Sequence, residues 1–171
     1  MKKYIIINGS MCSGKSTIGK RIAELLGQTE FTAFIEGDFV VELHPHVDYY
    51  ETKSMQMDNI LHMSKNYSRF NKCESVVLSW AMGEDTVKNI IFEISKLDYQ
   101  PYHFILTCNE NTLTARWIKD NVNDWRTDDN LNIAIGMLSG FNKRTDCIFI
   151  DTSDLSIDAV AEEIIERVQY V

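Results

Sequence analysis

The sequence predicts an α/β protein in which a five-stranded parallel sheet is covered by helices on both faces. Short apolar runs alternate with segments of helical periodicity along the whole chain, and no internal repeat or Pro/Gly/Ser-rich linker interrupts the alternation. The chain has 171 residues, a length that usually forms one domain. We therefore expect residues 1–171 to form a single domain with right-handed crossovers.

Five short apolar runs predict the strands. They are Tyr4–Ile7, Thr32–Ile35, Val76–Leu78, Tyr102–Leu106 and Cys147–Ile150. Continuous apolar runs of this kind are typical of parallel strands buried on both faces. Because ligands of such sheets bind at the carboxyl ends of the strands, the residues that follow each run are the candidates for function.

Apolar residues spaced three or four apart predict the helices between these strands. The regular stripes cover Ile18–Leu26, Val87–Leu97, Leu131–Leu138 and Ile157–Val168. A less regular stripe predicts a long helix over Asp48–Asn71. Ser156 stands where it would cap the last helix.

Charge and composition exclude several classes of protein. Lys and Arg number 17 and Asp and Glu number 25, which gives a net charge of −8. We expect no nucleic-acid partner, because phosphate backbones need a positive surface. No apolar run approaches the roughly 18 residues that a membrane span needs. The four cysteines form no C-x-x-C pair, which indicates free thiols and a reducing, cytoplasmic location.

The segment after the first strand is the most specific motif in the chain. Its residues fit G-x-x-x-x-G-K-[ST] at every fixed position. They are Gly9, Ser10, Met11, Cys12, Ser13, Gly14, Lys15, Ser16 and Thr17. The glycines allow a tight loop whose backbone N–H groups face phosphate oxygens, and the following helix adds its positive N-terminal end. The alternative is a glycine-rich turn that merely links strand to helix.

Two side chains of this loop carry the chemistry of the motif. Lys15 supplies a positive charge to the β and γ phosphates of a nucleotide, and Ser16 offers its hydroxyl to Mg²⁺. The motif therefore predicts ATP and Mg²⁺ as cofactors. Cys12 occupies a variable position, for which we expect no catalytic role.

The loop, the acidic pair Glu36 and Asp38 after the second strand, the length and the strand–helix order together resemble the small P-loop kinases. These include the shikimate, gluconate and adenylate kinases. The segment from Ile5 through the loop and the segment Asp154–Ile164 are most similar to the tunicamycin-resistance type of nucleotide-binding protein. The resemblance implies a three-layer P-loop fold of five parallel strands, a mobile lid over ATP and phosphoryl transfer to a small acceptor.

The same resemblance implies roles for several residues. Asp38 would accept or orient the proton of the acceptor hydroxyl, and Glu36 would join Ser16 and Asp38 at the metal. Arg116 would help to bind the nucleotide. The lid would span about residues 116–129, with Arg126 as the arginine that stabilises the transition state. Two alternatives stay open, namely a solvated turn for the acidic pair and a solvated acidic loop for the lid.

For the remaining candidates, a structural role is the alternative to a functional one. The third strand ends in Ser79 and Trp80 without the aspartate common in P-loop motors and switches, and either residue would line the acceptor pocket or pack in the core. The segment His44–His46 belongs to an acceptor-side loop or to a surface turn. His62 and His103 are expected to be structural. Arg69 binds an anionic acceptor group or forms a surface salt bridge.

The sequence thus predicts an ATP-dependent small-molecule kinase that acts as a monomer or a homodimer. A resistance or regulatory protein that binds ATP or GTP without phosphoryl transfer is the first alternative. A nucleoside monophosphate kinase is the second alternative, and it is disfavoured because the long helix offers few basic residues for an acceptor phosphate.

Overall fold

A computed structural model describes residues 1–45, 47, 49–120, 127–141 and 144–169 and confirms the α/β alternation. The strands are β1 (Lys2–Gly9), β2 (Phe31–Glu36), β3 (Cys73–Ser79), β4 (Tyr99–Thr107) and β5 (Ile148–Asp151). The helices are α1 (Lys15–Leu26), α2 (Tyr49–Arg69), α3 (Glu84–Ile94), α4 (Glu110–Lys119), α5 (Asp128–Phe141) and α6 (Ile157–Gln169). A short 3₁₀ turn, Gly37–Phe39, follows β2.

The strands form one parallel sheet in the order β2-β3-β1-β4-β5. The strand β1 extends beyond the predicted run, from Lys2 to Gly9, because its polar ends pair through the backbone with Tyr99 and Leu106 of β4. A run of apolar residues therefore reveals only the apolar centre of such a strand, and the polar residues at its ends give no such signal. β5 begins at Ile148, one residue later than the apolar run indicated.

The apolar runs are continuous because both faces of the sheet are covered. Tyr4 and Ile6 of β1 pack into a core with residues of α2 and α3, whereas Ile5 and Ile7 pack into a second core with residues of α1 and α6. Ser156 caps α6 as predicted, since its Oγ accepts a hydrogen bond from the N–H of Ala159 at 3.2 Å.

The sheet order fixes where a ligand can bind. The central strand β1 lies between β3 and β4, so the chain crosses to one side of β1 for β2 and β3 and to the other side for β4 and β5. Such a change of direction leaves a crevice at the carboxyl ends of the strands. The loop after β1 stands in this crevice.

The far end of α2 corrects the expectation for Arg69. The Nζ of Lys2, at the start of β1, donates hydrogen bonds to the carbonyls of Ser68 and Phe70 at 2.8 and 3.0 Å. The helix therefore ends at the amino edge of the sheet, opposite the loop after β1. An anionic acceptor in the crevice is out of reach of Arg69, so of its two alternatives the acceptor-binding role is excluded. None of the described helices is long and apolar enough to cross a membrane.

One histidine is part of the core. His103 of β4 is 6 % exposed and lies beside Arg144 and Asp146. Burial, together with the charge of Arg144, lowers the pKa of His103 to about 4, although Asp146 opposes the shift. His62, by contrast, stands on the exposed face of α2.

We expect this histidine to make the protein less stable in mild acid. Between the unfolded pKa of about 6.5 and the folded pKa of about 4 the unfolded chain binds the additional proton, so the free energy of unfolding falls as the pH falls. From pH 7 to pH 5 its contribution is a loss of about 2 kcal/mol. Urea denaturation across this range measures it. His103→Gln should reduce the loss and His62→Gln should not, and equal pH profiles for all three proteins would contradict the assignment.

Candidate active site

A cavity of about 1040 Å³ opens at the carboxyl edge of the sheet. Each strand is followed by at least one residue that lines this cavity, either in the next loop or in the next helix. They include Met11–Ile18 after β1, Asp38 after β2, Trp80 and Ala81 after β3, Arg116 after β4 and Thr152 after β5. The cavity therefore joins the two sides of the crevice around the loop.

The conformation of the loop depends on glycine at its first position. Gly9 has φ +148°, and a Cβ there would lie 2.7 Å from both the Leu106 carbonyl oxygen and the Ser13 Oγ. Further along, the N–H of Ser13 donates to the Ser10 carbonyl at 3.2 Å, and α1 begins at Lys15. The loop thus turns tightly into the positive end of a helix, as the motif predicts.

Lys15 places a nearly buried charge inside this loop. Its side chain is 8 % exposed, and its Nζ donates a hydrogen bond to the Ser10 carbonyl at 2.8 Å. Burial lowers the pKa of Lys15, whereas the nearby carboxylates of Asp38 and Glu36 act to raise it. The lysine and the acidic pair are therefore close enough to interact, although β3 lies between the two strands that they follow.

The residues around Lys15 fit a phosphate and a hydrated cation. The Oγ of Ser13 and the Oε1 of Glu36 are buried and have no hydrogen-bond partner. The Ser16 hydroxyl, at the exposed start of α1, hydrogen-bonds to Glu36. Among the described residues no three His, Cys, Asp or Glu side chains cluster. Mg²⁺ suits such a set, because it commonly takes only one or two protein oxygens beside phosphate and water.

The acidic pair stands on a turn that packs tightly against Trp80. Glu36 is the last residue of β2, and burial raises its pKa whereas the hydrogen bond from Ser16 opposes the shift. Asp38, two residues later, is exposed and lines the cavity. A Cβ on Gly37 between them would lie 2.4 Å from the Trp80 Cγ, so only glycine fits there without movement of the indole or of the turn. Trp80 thus both packs in the core and lines the cavity.

Gly37→Ala should therefore displace the acidic pair. We expect it to reduce the free energy of unfolding by about 1–3 kcal/mol through overpacking and to lower the turnover measured in the assay proposed below. Gly136→Ala is the matched control, because nothing lies within 4 Å of a Cβ there and α5 gains a better helix former. Thermal denaturation of both variants tests this. An unchanged stability of Gly37→Ala would contradict the tight packing.

Asn8 is a structural residue of the site that the sequence analysis missed. Its side chain is fully buried, and its Oδ1 accepts hydrogen bonds from the N–H of Gly9 at 2.8 Å and of Met82 at 2.9 Å. Its Nδ2 donates to the Met82 carbonyl at 3.0 Å. Asn8 therefore joins the first residue of the loop to the segment after β3. The only sequence signal was a polar residue at the end of an apolar strand, directly before the motif.

Loss of this amide should loosen the loop. Asn8→Ala leaves two buried N–H groups and a carbonyl without a partner, which we expect to cost about 2–4 kcal/mol of stability and to weaken nucleotide binding. Asn66→Ala, on the exposed face of α2, is the control. Chemical denaturation and ATP titration measure the two effects. If Asn8→Ala behaved like Asn66→Ala, the bracing role would be refuted.

Arg116 ties the loop to the segment after β5. Its Nη1 donates to the Ser13 carbonyl at 3.2 Å and to the Thr152 Oγ1 at 2.9 Å, and its Nη2 donates to the Thr152 carbonyl at 2.7 Å. Thr152 in turn donates its N–H to the Thr107 carbonyl of β4 at 2.8 Å. The predicted nucleotide-binding arginine therefore lines the cavity and is held there by three hydrogen bonds.

The other candidates are placed as follows. Ser10 turns its hydroxyl away from the cavity and donates to the Ala134 carbonyl at 2.5 Å. His44 is highly exposed and lies 3.2 Å from Glu42. Arg126 lies outside the described residues, as do His46 and the other residues of 121–126 in the predicted lid. Glu36, Ser16 and Thr17 border a second, adjoining cavity of about 580 Å³.

Comparisons with known proteins agree with this architecture. Residues 5–135 match the profile of a family described as an AAA domain. No curated protein matches the chain. Among solved structures, a gluconokinase from Sinorhizobium meliloti 1021 is 18 % identical with a TM-score of 0.69, and the match covers 98 % of this chain and 91 % of that chain.

Two further structures show the same fold. A tunicamycin resistance protein from Deinococcus radiodurans is 20 % identical, has a TM-score of 0.64 and matches over 99 % of this chain and 98 % of that chain. A shikimate kinase from Bacteroides thetaiotaomicron is 16 % identical, has a TM-score of 0.64 and matches over 98 % of both chains. The resemblance to small P-loop kinases is thereby confirmed at the level of the fold.

Proposed function

Since the chain belongs to the AAA domain family and has the fold of small P-loop kinases, we propose that it transfers the γ-phosphoryl group of Mg-ATP to a hydroxyl group of a small molecule. One observation carries this proposal. The charged Lys15 of the phosphate loop and the acidic pair Glu36 and Asp38 interact electrostatically beside one open cavity.

The loop side of the cavity would hold the nucleotide. The backbone N–H groups of residues 10–17, the start of α1 and the Lys15 ammonium group all favour phosphate oxygens. Arg116 and Thr152 border the same part of the cavity. A volume of about 1040 Å³ stands at the upper end of the range for small-molecule sites, which suits a nucleotide together with an acceptor.

Ser16 and Glu36 would hold Mg²⁺, with Asp38 close by. When bound, the ion supplies positive charge that neutralises the phosphate oxygens during transfer. The hydroxyl of Ser16 and the unpartnered buried oxygen of Glu36 are this chain's contribution to it. The hydrogen bond between Ser16 and Glu36 keeps the two side chains adjacent.

Asp38 would orient the acceptor and take its proton. In the proposed step the acceptor oxygen bonds to the γ-phosphorus, the bond from the γ-phosphorus to the β–γ bridging oxygen breaks, and ADP leaves. The proton of the acceptor hydroxyl passes to the Asp38 carboxylate. Lys15 stabilises the charge on the phosphate oxygens, and we propose the same task for Arg126. Positioning and electrostatics supply most of the rate in such reactions.

Two substitutions separate binding from transfer. Lys15→Ala should weaken Mg-ATP binding by about tenfold or more, because it removes a charge from the phosphate site. Asp38→Asn should leave Mg-ATP affinity nearly unchanged and lower kcat by about 10²–10⁴-fold. Calorimetric titration measures the affinity, and radiolabelled ATP with a panel of metabolites and antibiotics measures transfer. Lys65→Ala and Asp58→Asn, exposed on α2, are the matched controls.

The outcomes decide between transfer and the other candidate. A protein that binds Mg-ATP tightly but transfers phosphate to no acceptor of the panel would contradict the proposed kinase activity. The similarity to a tunicamycin resistance protein favours nucleotide binding without transfer as the second candidate. That candidate gains support if a resistance or regulatory activity of the protein in cells survives Asp38→Asn and is lost in Lys15→Ala.

A further inference from the structure

The sheet order divides the cavity into two sides. β2 and β3 lie on one side of β1, whereas β4 and β5 lie on the other. We call the lining residues that follow β2 and β3 the acceptor side. They are Asp38, Tyr50, Trp80 and Ala81. Arg116 and Thr152, which follow β4 and β5, belong to the nucleotide side.

Among the described residues of the acceptor side, the only charge is negative. Asp38 is its one charged lining residue, and the carboxylate of Glu36 lies just behind it on the same turn. The cations that line the described cavity are Lys15, Arg116 and Lys119. Lys15 belongs to the phosphate loop, and the other two stand on α4 after β4.

The long helix adds no cation to the acceptor side. Its basic residues Lys65 and Arg69 stand in its second half, which ends at the amino edge of the sheet beside Lys2. Lys53 is near the helix start but does not line the cavity. An acceptor with a carboxylate or phosphate would therefore meet Asp38 on this side, and the nearest described cation, Lys15, already interacts with the acidic pair and would be engaged by the nucleotide phosphates.

The remaining acceptor-side surface is uncharged and partly aromatic. Trp80 packs on Gly37 beside Asp38 but is only 1 % exposed, so the accessible aromatic surface is that of Tyr50, which stands 85 % exposed at the rim. The exposed ring of Tyr50 suits the C–H face of a sugar or polyol, and the carboxylate of Asp38 suits its hydroxyl groups. Resting on the proposed function, we infer that the acceptor is an uncharged polyol or sugar-like compound without a carboxylate or phosphate group.

Matched acceptors test this inference. We would measure phosphoryl transfer from radiolabelled Mg-ATP to sets that each contain an alditol, the corresponding aldonate and the corresponding alditol phosphate, of different chain lengths, together with simple sugars and uronic acids. The neutral member of a set should be used with a kcat/KM about tenfold or more above its anionic counterparts, because the anion approaches Asp38 without a cation of its own on the acceptor side. Mg-ATP binding is measured in parallel.

Variants that add a charge to the acceptor side test whether the lack of a cation there causes the preference for neutral acceptors. Ala81→Arg should shift the ratio of kcat/KM values toward the aldonate, whereas the uncharged Ala81→Gln should not. Tyr50→Lys and Tyr50→Gln repeat the comparison at an exposed position, where folding is little disturbed. Mg-ATP affinity close to that of the unmodified protein shows that each variant is folded.

Each outcome bears on a different claim. Preferred transfer to neutral members, with the ratio shifted by the added cations, supports the inference. Efficient transfer to aldonates or phosphates by the unmodified protein overturns the inference and leaves the proposed kinase activity intact. Tight Mg-ATP binding without transfer to any compound in the sets or in the wider metabolite and antibiotic panel overturns the proposed activity, and this inference with it.

Discussion

A buried ammonium group, that of Lys15, is the constraint on which the site depends. A charge with 8 % exposure is costly to bury unless neighbours compensate for it. The Ser10 carbonyl accepts its hydrogen bond, and the carboxylates of Asp38 and Glu36 favour its charged form. These compensations keep a cation in place for a phosphate.

The rest of the fold holds this arrangement in position. The two cores pack against β1 from both faces, so the loop begins at the end of a strand that is held on both sides. Asn8 braces the loop against the segment after β3, and Arg116 braces it against the segment after β5. The contact of Gly37 with Trp80 fixes the acidic turn. The loop and the acidic turn are thereby held beside the cavity, and in the proposed transfer such positioning would supply much of the rate.

The sequence predicts those parts of the fold and of the site whose residues are contiguous or regularly spaced along the chain. The phosphate loop is a contiguous motif whose geometry the chain itself dictates, and the two-sided sheet follows from continuous apolar runs such as Tyr4–Ile7. Residues that act across the sheet have no such signal. The partner of Asn8 is Met82, and the partner of Arg116 is Thr152, each distant in sequence. The two alternatives for Arg69 stayed open in the sequence because the direction of the helix, which carries this residue to the opposite edge, is not visible in a local pattern.

Amide hydrogen exchange with and without a nonhydrolysable Mg-ATP analogue tests the central claim most directly. If the loop binds the phosphates, the analogue should slow exchange of the backbone amides of residues 11–17, and Lys15→Ala should weaken this protection at equal ligand concentration. Protection of amides elsewhere with none in the loop would show that Lys15 and its loop do not form the phosphate site.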